Sequence, residues 1–237
     1  WIACGPGNNG GDGLEAAVHL QAWGKHPVVT WLGQEGHIPQ DAQQAWLRAK
    51  TAGVAFQKQA PAQFDLVIDA LLGIGADRPP EGLMSQWLDV IANTSIPVLC
   101  VDVPTGLSAD TGEWMTSTRP SHHNRHTLSL LTLKPGLFTA DGRDAAGQVW
   151  FNDLAVEHAV WDFLHRVGYR GPWPDKLAWV PSWASWARAT GRSIDKAKAR
   201  KVPVVAYDRL IEAPEVFYLT FDNREVGRLQ AKAVLAV

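Results

Sequence analysis

The stretch that decides the fold is Gly5-Pro6-Gly7-Asn8-Asn9-Gly10-Gly11-Asp12-Gly13, a glycine-rich loop between a short apolar run and a helical pattern. Gly5, Gly7 and Gly10 fit the G-x-G-x-x-G spacing of a strand-loop-helix turn that binds phosphate groups. Glycine lets the backbone approach a ligand closely, and the N–H groups at the start of a helix attract an anion. The loop therefore predicts a nucleotide-binding α/β domain.

Apolar runs and helical patterns alternate on the C-terminal side of this loop. We expect strands at 1–4, 27–32, 66–72, 97–103, 128–133 and 149–151, and helices at 12–23, 40–50 and 82–92. Such alternation is typical of β-α-β units that build a doubly wound parallel sheet. Residues 1–154 are therefore expected to form one α/β domain.

The pattern changes after residue 154. Residues 155–201 begin with a helical pattern and continue as a Trp/Pro-rich linker that ends in a basic run. Its tryptophans could form a nucleic-acid platform, but aromatic packing beneath a loop is the favoured interpretation. Residues 202–237 predict a β-β-α appendage whose helix opens with a capping box at Asp222 and Glu225. This appendage completes the first sheet, packs on it, or belongs to another unit.

Composition excludes several classes of function. The formal net charge of -2 over 237 residues argues against a broad electrostatic grip on nucleic acid or on an anionic membrane. No apolar stretch reaches the roughly 18 residues that a membrane span requires.

The two cysteines, Cys4 and Cys100, lie far apart in the sequence and lack the spacing of metal ligands. We therefore expect both to be buried apolar thiols, and we expect a cytoplasmic location.

Polar side chains follow several of the expected strands. Asn9 lies in the glycine loop, Asp69 follows the apolar run Val67-Ile68, and Thr105 follows Asp102-Val103-Pro104. The carboxyl ends of parallel strands share one edge of the sheet, where ligands collect. Carboxylate, amide and hydroxyl oxygens at that edge suit a hard cation.

A histidine cluster has a competing interpretation. His122, His123 and His126 form an H-H-x-x-H pattern that suggests a metal site. They are flanked by Arg119, Asn124 and Arg125, without a further class of ligand nearby. A solvated polar loop is therefore the favoured interpretation.

Four motifs occur in order along residues 1–154: GPGNNGGDG at 5–13, DALLGIG at 69–75, DVPTG at 102–106 and LKPG at 133–136. Together they resemble the successive motifs of the NAD(P)H-hydrate epimerase family. The resemblance implies a Rossmann-like three-layer α/β/α sandwich with a mostly parallel sheet. It further implies a small-molecule substrate, hydrated NADH or NADPH, whose R and S forms the protein interconverts with the help of a bound potassium ion. A homodimer is a further possibility that the resemblance leaves open.

The resemblance also assigns residues. It implies potassium ligation by Asn9, Asp69 and Thr105, where threonine replaces the more usual serine. Asp102 would face the reacting ring, and Lys134 is a second catalytic candidate that orients the ligand or an acidic partner. The substrate-binding residues it implies are Asn8, Asn9, Gly10, Gly11, Asp12, Gly73, Ile74, Gly75, Ala76, Asp77, Arg78, Pro79 and Asp102.

The substrate's own chemistry supports a role for a carboxylate. A C6 hydroxyl beside the ring nitrogen is a carbinolamine, so its loss is assisted by the nitrogen lone pair and leaves an iminium-like cation. Water returning to the opposite face gives the other epimer. One group must protonate the leaving hydroxyl and deprotonate the incoming water, and an anionic environment must stabilise the cation. Asp102 suits both tasks, although a strand-end aspartate also caps turns, and a lysine such as Lys134 is also common on a solvated surface.

Alternative interpretations remain at this point. Family members usually carry a helical segment before the first strand, so we expect an N-terminally truncated domain. One alternative function is therefore a catalytically inactive nucleotide-binding module.

A further alternative is an NAD-dependent oxidoreductase. Such an enzyme would need an acidic residue about 20 residues after the glycine loop, and Glu35 is the nearest candidate. Residues 202–237 are similar to a segment of periplasmic xylose-type sugar-binding proteins, but are too short for a complete sugar site.

Overall fold

The computed structural model describes residues 1–34, 37–76, 78–120, 124–152, 154, 178–180, 204–207, 216–219 and 223–234. The chain divides into two compact units. The first unit combines Trp1–Asp153 with Asp222–Val237, and the second is Leu154–Phe221.

The first unit is built on a seven-stranded sheet in which every pair of neighbours is parallel. The strand order is β3-β2-β1-β4-β5-β6-β7. The strands are β1 (Ile2–Cys4), β2 (Val28–Trp31), β3 (Ala55–Gln57), β4 (Val67–Ala70), β5 (Val98–Val101), β6 (Arg125–Leu130) and β7 (Gln148–Asn152).

Helices flank this sheet. They are α1 (Asn8–Ala22), α2 (Gln40–Thr51), α3 (Gly82–Asn93), α4 (Gly142–Ala145) and α5 (Asn223–Val234), with a 3₁₀ turn at Pro135–Leu137. Helix α5 is distant in sequence from the others yet belongs to the same unit. None of the described helices is long and apolar enough to cross a lipid bilayer.

The core lies on both faces of the central strands. On one face, Trp87 and Ile91 of α3 pack against Val67 of β4 and Val98 of β5. On the other face, Gly13 of α1 lies close to the side chains of the neighbouring strands. Strands β4 and β5 are buried along their whole length, as expected for parallel strands covered on both faces. The Rossmann-like α/β architecture predicted from the motifs is confirmed.

The strand order places a crevice beside β1. The chain runs outward from β1 to β3 on one side, and then returns to β4 and runs outward to β7 on the other. The direction reverses between β1 and β4, which pair with Ala3 opposite Asp69. In open parallel sheets, ligands bind outside the carboxyl ends of the strands at this reversal.

The structure corrects several expected boundaries. Helix α1 begins at Asn8, four residues earlier than expected, so Asn8, Asn9, Gly10 and Gly11 are helical rather than in a loop. Strand β6 begins at Arg125 instead of residue 128, and β3 was not predicted. Strand β3 escaped prediction because it is a three-residue edge strand with exposed ends and little apolar pattern.

The second unit contains a three-stranded parallel sheet of order β10-β9-β8 among its described residues. Its strands are β8 (Ala178–Val180), β9 (Val204–Tyr207) and β10 (Val216–Leu219). The last two confirm the strands expected at 202–207 and 216–221. Strand β8 carries Trp179 and lies where we expected a linker. The helix expected from residue 156 falls outside the described residues.

Candidate active site

The first turn of α1 forms one wall of the crevice. Gly10 lies directly against the backbone of Gly5, because a Cβ at Gly10 would lie 2.0 Å from the carbonyl oxygen of Gly5. The strand-loop-helix turn therefore closes only if residue 10 has no side chain. The first N–H groups of an α-helix have no partner within that helix, so this turn presents donors and a positive dipole end to the crevice.

Asn9 lies beside the segment that follows β4. A Cβ at Gly73 would lie 3.4 Å from Asn9 Oδ1, which places the Asn9 amide next to the start of the 73–79 loop. Asn9 Nδ2 is buried and has no hydrogen-bond partner within the described part of the chain. A buried amide without a partner is costly, so this side chain is oriented for a ligand that the protein alone does not supply.

Asp69 and Thr105 are directly bonded at the ends of neighbouring strands. The Thr105 hydroxyl donates to Asp69 Oδ1 at 2.7 Å, and the Thr105 backbone N–H donates to Oδ2 at 3.0 Å. The same hydroxyl accepts from the backbone N–H of Leu72 at 3.1 Å. Leu72 directly precedes Gly73, so the three expected cation ligands surround one short backbone segment.

Among the described residues, no cationic side chain pairs with Asp69. Asp69 is fully buried and forms no ion pair with any residue that the structure describes. Three donors accompany the carboxylate, namely the backbone N–H groups of Leu71 and Thr105 and the Thr105 hydroxyl, so Asp69 has hydrogen bonds but no counter-charge among the described residues. Oxygen donors from Asn9, Asp69 and Thr105 therefore suit a hard cation, whereas a transition-metal site is not indicated, since the described residues contain no cluster of three or more His, Cys, Asp or Glu.

Asp102 and Lys134 form a buried ion pair at the end of β5. Their side chains are only 12% and 8% exposed, and Lys134 Nζ donates to Asp102 Oδ1 and to the carbonyl oxygen of Leu130. The backbone N–H of Leu130 also donates to Asp102 Oδ1, at 3.2 Å. The alternative interpretation of Lys134 as a solvated surface lysine is wrong, because its side chain is buried against the Asp102 carboxylate, whereas its role as a catalytic candidate stays a prediction.

The backbone at this pair is unusual. Asp102 has φ of 69° and Leu131 has φ of 68°. Left-handed backbone is tolerated by aspartate but is rare for leucine, and such residues concentrate at functional sites. The structure thus holds Asp102 in a conformation that strand geometry alone would not provide.

The remaining expected substrate-binding residues differ in exposure. Ile74, Gly75, Arg78 and Pro79 are exposed, Gly73 and Ala76 are half-buried, and Asp77 lies outside the described residues. Asp12 is only 6% exposed within α1. Its charge adds to the effect of burial in raising the pKa of the Cys4 thiol far above its usual range, so Asp12 lies near the end of β1.

One residue of the histidine cluster lies in a strand. His126 lies in β6, where it is half-buried, and its Nδ1 is buried without a partner among the described residues. His122 and His123 lie outside the described residues, as does Glu35. The expectation of a polar loop through residue 126 is wrong, because the neighbouring Arg125 already belongs to the sheet and is 4% exposed.

Two contributors were not foreseen. Leu130 supplies a backbone N–H to Asp102 and a backbone carbonyl to Lys134, and Leu72 supplies an N–H to Thr105. Sequence reasoning could not identify them, because a backbone group carries no residue-type signal. The buried thiols expected at Cys4 and Cys100 are confirmed.

Comparison with known proteins matches each part of the chain to a different family. Residues 1–136 match the model described as YjeF-related protein N-terminus. Residues 174–236 match the model described as periplasmic binding protein domain.

Individual relatives match the first part. The chain is 37% identical over 161 residues to the "Bifunctional NAD(P)H-hydrate repair enzyme Nnr" of Escherichia coli, a match that covers 66% of this chain and 30% of that protein. It is 44% identical over 110 residues to the "NAD(P)H-hydrate epimerase" of Bordetella pertussis, covering 46% and 48% respectively. The chain thus spans less than half the length of these relatives.

A solved structure has the same fold. The crystal structure of the yeast protein ynu0, YNL200c, superimposes with a TM-score of 0.55 over 74% of this chain and 73% of that chain, at 22% sequence identity. This likeness supports the α/β architecture of the first unit.

Proposed function

Because the chain belongs to the family described as YjeF-related protein N-terminus, we propose that it interconverts the R and S epimers of hydrated NADH and NADPH. Relatives that bear the names NAD(P)H-hydrate epimerase and repair enzyme support this proposal. The observation that carries it is the buried Asp102–Lys134 pair at the carboxyl edge of the sheet, where Asp102 and Thr105 of the Asp69–Thr105 pair lie in the same turn after β5.

The reaction calls for a carboxylate that exchanges protons with a hydroxyl group and with water. In the proposed mechanism, the proton of the Asp102–Lys134 pair passes through Asp102 to the C6 hydroxyl as the C6–O bond breaks and water leaves. The ring nitrogen stabilises the resulting cation. Asp102 then accepts the proton of the water that adds to the opposite face. Once the pair has given up its proton, the Asp102 carboxylate stabilises the iminium-like intermediate.

Lys134 has a positioning role in this proposal. Its ammonium group contacts both Asp102 Oδ1 and the Leu130 carbonyl, so it fixes the carboxylate relative to the end of β6. A proton acceptor must lie within hydrogen-bond reach of the proton it removes. Because Lys134 and the Leu130 N–H both contact Oδ1, this proposal assigns the proton exchange with the hydroxyl and with water to Asp102 Oδ2.

The rest of the nucleotide is assigned to the first turn of α1. The phosphates of a dinucleotide suit the N–H groups and the positive dipole end presented by Asn8, Asn9 and Gly10. Gly11 and Asp12 complete this wall, and the opposite one is assigned to the 73–79 segment, in which Ile74, Gly75, Arg78 and Pro79 are exposed. Exposure of Ile74 at 45% gives this loop an apolar surface for a ring system.

We assign a potassium ion to Asn9, Asp69 and Thr105. The buried Asp69 carboxylate, which forms no ion pair with the described residues, and the Asn9 Oδ1 atom beside Gly73 fit such a cation. When bound, the ion would supply a positive charge that compensates Asp69 and attracts oxygen atoms of the substrate. The protein's own residues carry out the proton exchange.

The decisive experiment is epimerisation by the purified chain. The R hydrate of NADPH is incubated with protein, and formation of the S hydrate is followed by chromatography that separates the epimers. We expect conversion in potassium chloride, slower conversion in choline chloride at equal ionic strength, and loss of conversion in Asp102→Asn. Asp110→Asn is the matched control, because Asp110 is exposed and follows the same motif.

The outcomes separate two functions. Conversion at the spontaneous rate by folded wild-type protein, with binding of the hydrate retained, would replace the epimerase with a catalytically inactive nucleotide-binding module. Circular dichroism of each variant shows whether a lost activity reflects chemistry or unfolding.

A further inference from the structure

Helix α5 packs on α1 at backbone distance. A Cβ at Gly227 of α5 would lie 2.3 Å from Glu15 Cβ and 2.6 Å from the backbone nitrogen of Ala16. Such an approach is closed to every residue except glycine unless one helix moves. The two helices are therefore fitted to each other at this point.

Further contacts extend along the same interface. The Nε2 atom of His19 on α1 donates to the backbone carbonyl of Arg224 at 2.9 Å. Gln230 and Ala231 of α5 are fully buried, whereas Lys232 is exposed. Helix α5 thus has one face against the first unit and another in solvent.

Glu15 connects this interface to the next helix. It is 1% exposed and forms an ion pair with Arg48 of α2. Glu15 therefore contacts Gly227 of α5 and is also held by Arg48 of α2. Movement of α5 would disturb a buried charge that also joins α1 to α2.

The sequence origin of α5 makes this packing unexpected. Helix α5 lies within residues 174–236, which match the periplasmic binding protein domain, yet it belongs to the compact unit of residues 1–153. Helix α5 has 12 residues, and an isolated helix of that length is marginal in water. Its stability must come from the surface on which it packs.

We propose that α5 is a docking helix for α1. In this proposal, a segment that matches the periplasmic binding protein domain completes the domain that matches the YjeF-related family. By packing on α1, it holds the helix whose first turn forms the candidate active site. The surface it recognises is the outer side of α1 around Glu15, Ala16 and His19. This inference concerns assembly and holds whether or not the chain catalyses epimerisation.

Gln230 provides a sensitive probe of docking. Among the residues that the structure describes, neither Nε2 nor Oε1 of this fully buried side chain has a hydrogen-bond partner. Replacing a buried, unsatisfied amide by an apolar side chain of similar size removes an unfavourable desolvation. The substitution stabilises the protein only if the helix is docked.

The experiment introduces methionine at three positions of one helix. We expect Gln230→Met to raise the Tm by about 2–4 °C, Gly227→Met to lower the Tm by a similar amount or more, and Lys232→Met to leave it unchanged. The sign of the Tm change in Gly227→Met is diagnostic. Glycine is a poor helix former, so methionine would raise the stability of a helix that is not docked.

Hydrogen exchange of the wild-type chain adds a readout that needs no variant. Docking predicts that amides of α5 are protected to an extent comparable with those of α1, and that Gly227→Met exposes amides in both helices. Exchange of wild-type α5 at the rate of an unfolded peptide would overturn the proposal. So would equal Tm values for Gln230→Met and Lys232→Met. No measurement involves substrate, so the result is independent of the proposed activity.

Discussion

Thr105 is bonded to both carboxylate oxygens of Asp69, through its hydroxyl at 2.7 Å and its backbone N–H at 3.0 Å. The hydroxyl also accepts from the N–H of Leu72. One side chain thus joins the end of β4 to the turn after β5, at the edge of the sheet where the candidate active site lies. The hydroxyl is part of the scaffold as well as a candidate ligand.

Thr105→Val should destabilise the protein by about 1–3 kcal/mol, because it removes one donor from a buried carboxylate and the acceptor of a backbone N–H. Thr105→Ser keeps the hydroxyl and should recover most of this loss. Urea denaturation of the three proteins measures the difference. If serine destabilises as much as valine, the methyl group that serine lacks and valine keeps contributes as much to stability as the hydrogen bonds of the hydroxyl.

The Asp102–Lys134 pair should behave as a coupled unit. Lys134→Met should cost about 3–5 kcal/mol, because it leaves the buried Asp102 carboxylate without its cation. Combining it with Asp102→Asn should cost less than the sum of the single substitutions, since the double variant buries no charge. Denaturant unfolding of the four members of the cycle gives the coupling energy. Additive effects would mean that solvent, rather than Lys134, compensates the carboxylate.

Potassium should raise the thermal stability of the wild type relative to choline at the same ionic strength, because an ion that binds only the folded state adds to its stability. Asn9→Ala should weaken this response, and Asn124→Ala, at an exposed position, should not. Differential scanning fluorimetry over a potassium titration measures both. An unchanged response in Asn9→Ala would remove Asn9 from the proposed ligand set.

Cys4 and Cys100 should resist thiol reagents in the folded protein. Burial raises the pKa of the Cys100 thiol to about 12 and the pKa of the Cys4 thiol still higher. Both therefore stay protonated when folded, whereas an unfolded thiol ionises near pH 8.5. Colorimetric labelling should find no rapidly reacting thiol at pH 8 and two after denaturation. Because the folded-state pKa is the higher one, these thiols lower the stability as the pH rises above about 8.5, and Cys100→Ala should reduce that loss.

The sequence predicted the main sheet because its signals are local. The run Val67-Ile68 and the run Val98–Val101 are continuously apolar, as strands buried on both faces must be. The expected strand ends then predicted that Asn9, Asp69 and Thr105 would collect at one edge, and the structure brings Asp69 and Thr105 into direct contact.

Other features depend on contacts that no local pattern encodes. The burial of Lys134 follows from the Leu130 carbonyl and the Asp102 carboxylate converging on one point. The docking of α5 depends on Gly227 meeting Glu15 across more than two hundred residues of chain. A glycine within a helix and a lysine before a proline each suit many environments, so their partners become evident only in three dimensions.

The two glycines Gly7 and Gly10 occupy equivalent positions in the G-x-G-x-x-G motif, but of these two the structure requires glycine only at position 10. A Cβ at Gly10 would lie 2.0 Å from the carbonyl oxygen of Gly5, whereas a Cβ at Gly7 would meet nothing within 4 Å. Gly10→Ala should therefore cost about 1–3 kcal/mol through overpacking, and Gly7→Ala should be tolerated because its φ of -98° suits any residue. Urea denaturation of both variants measures the difference. If both variants lose the same stability, the motif reflects the backbone flexibility of the loop and not the contact between Gly10 and Gly5.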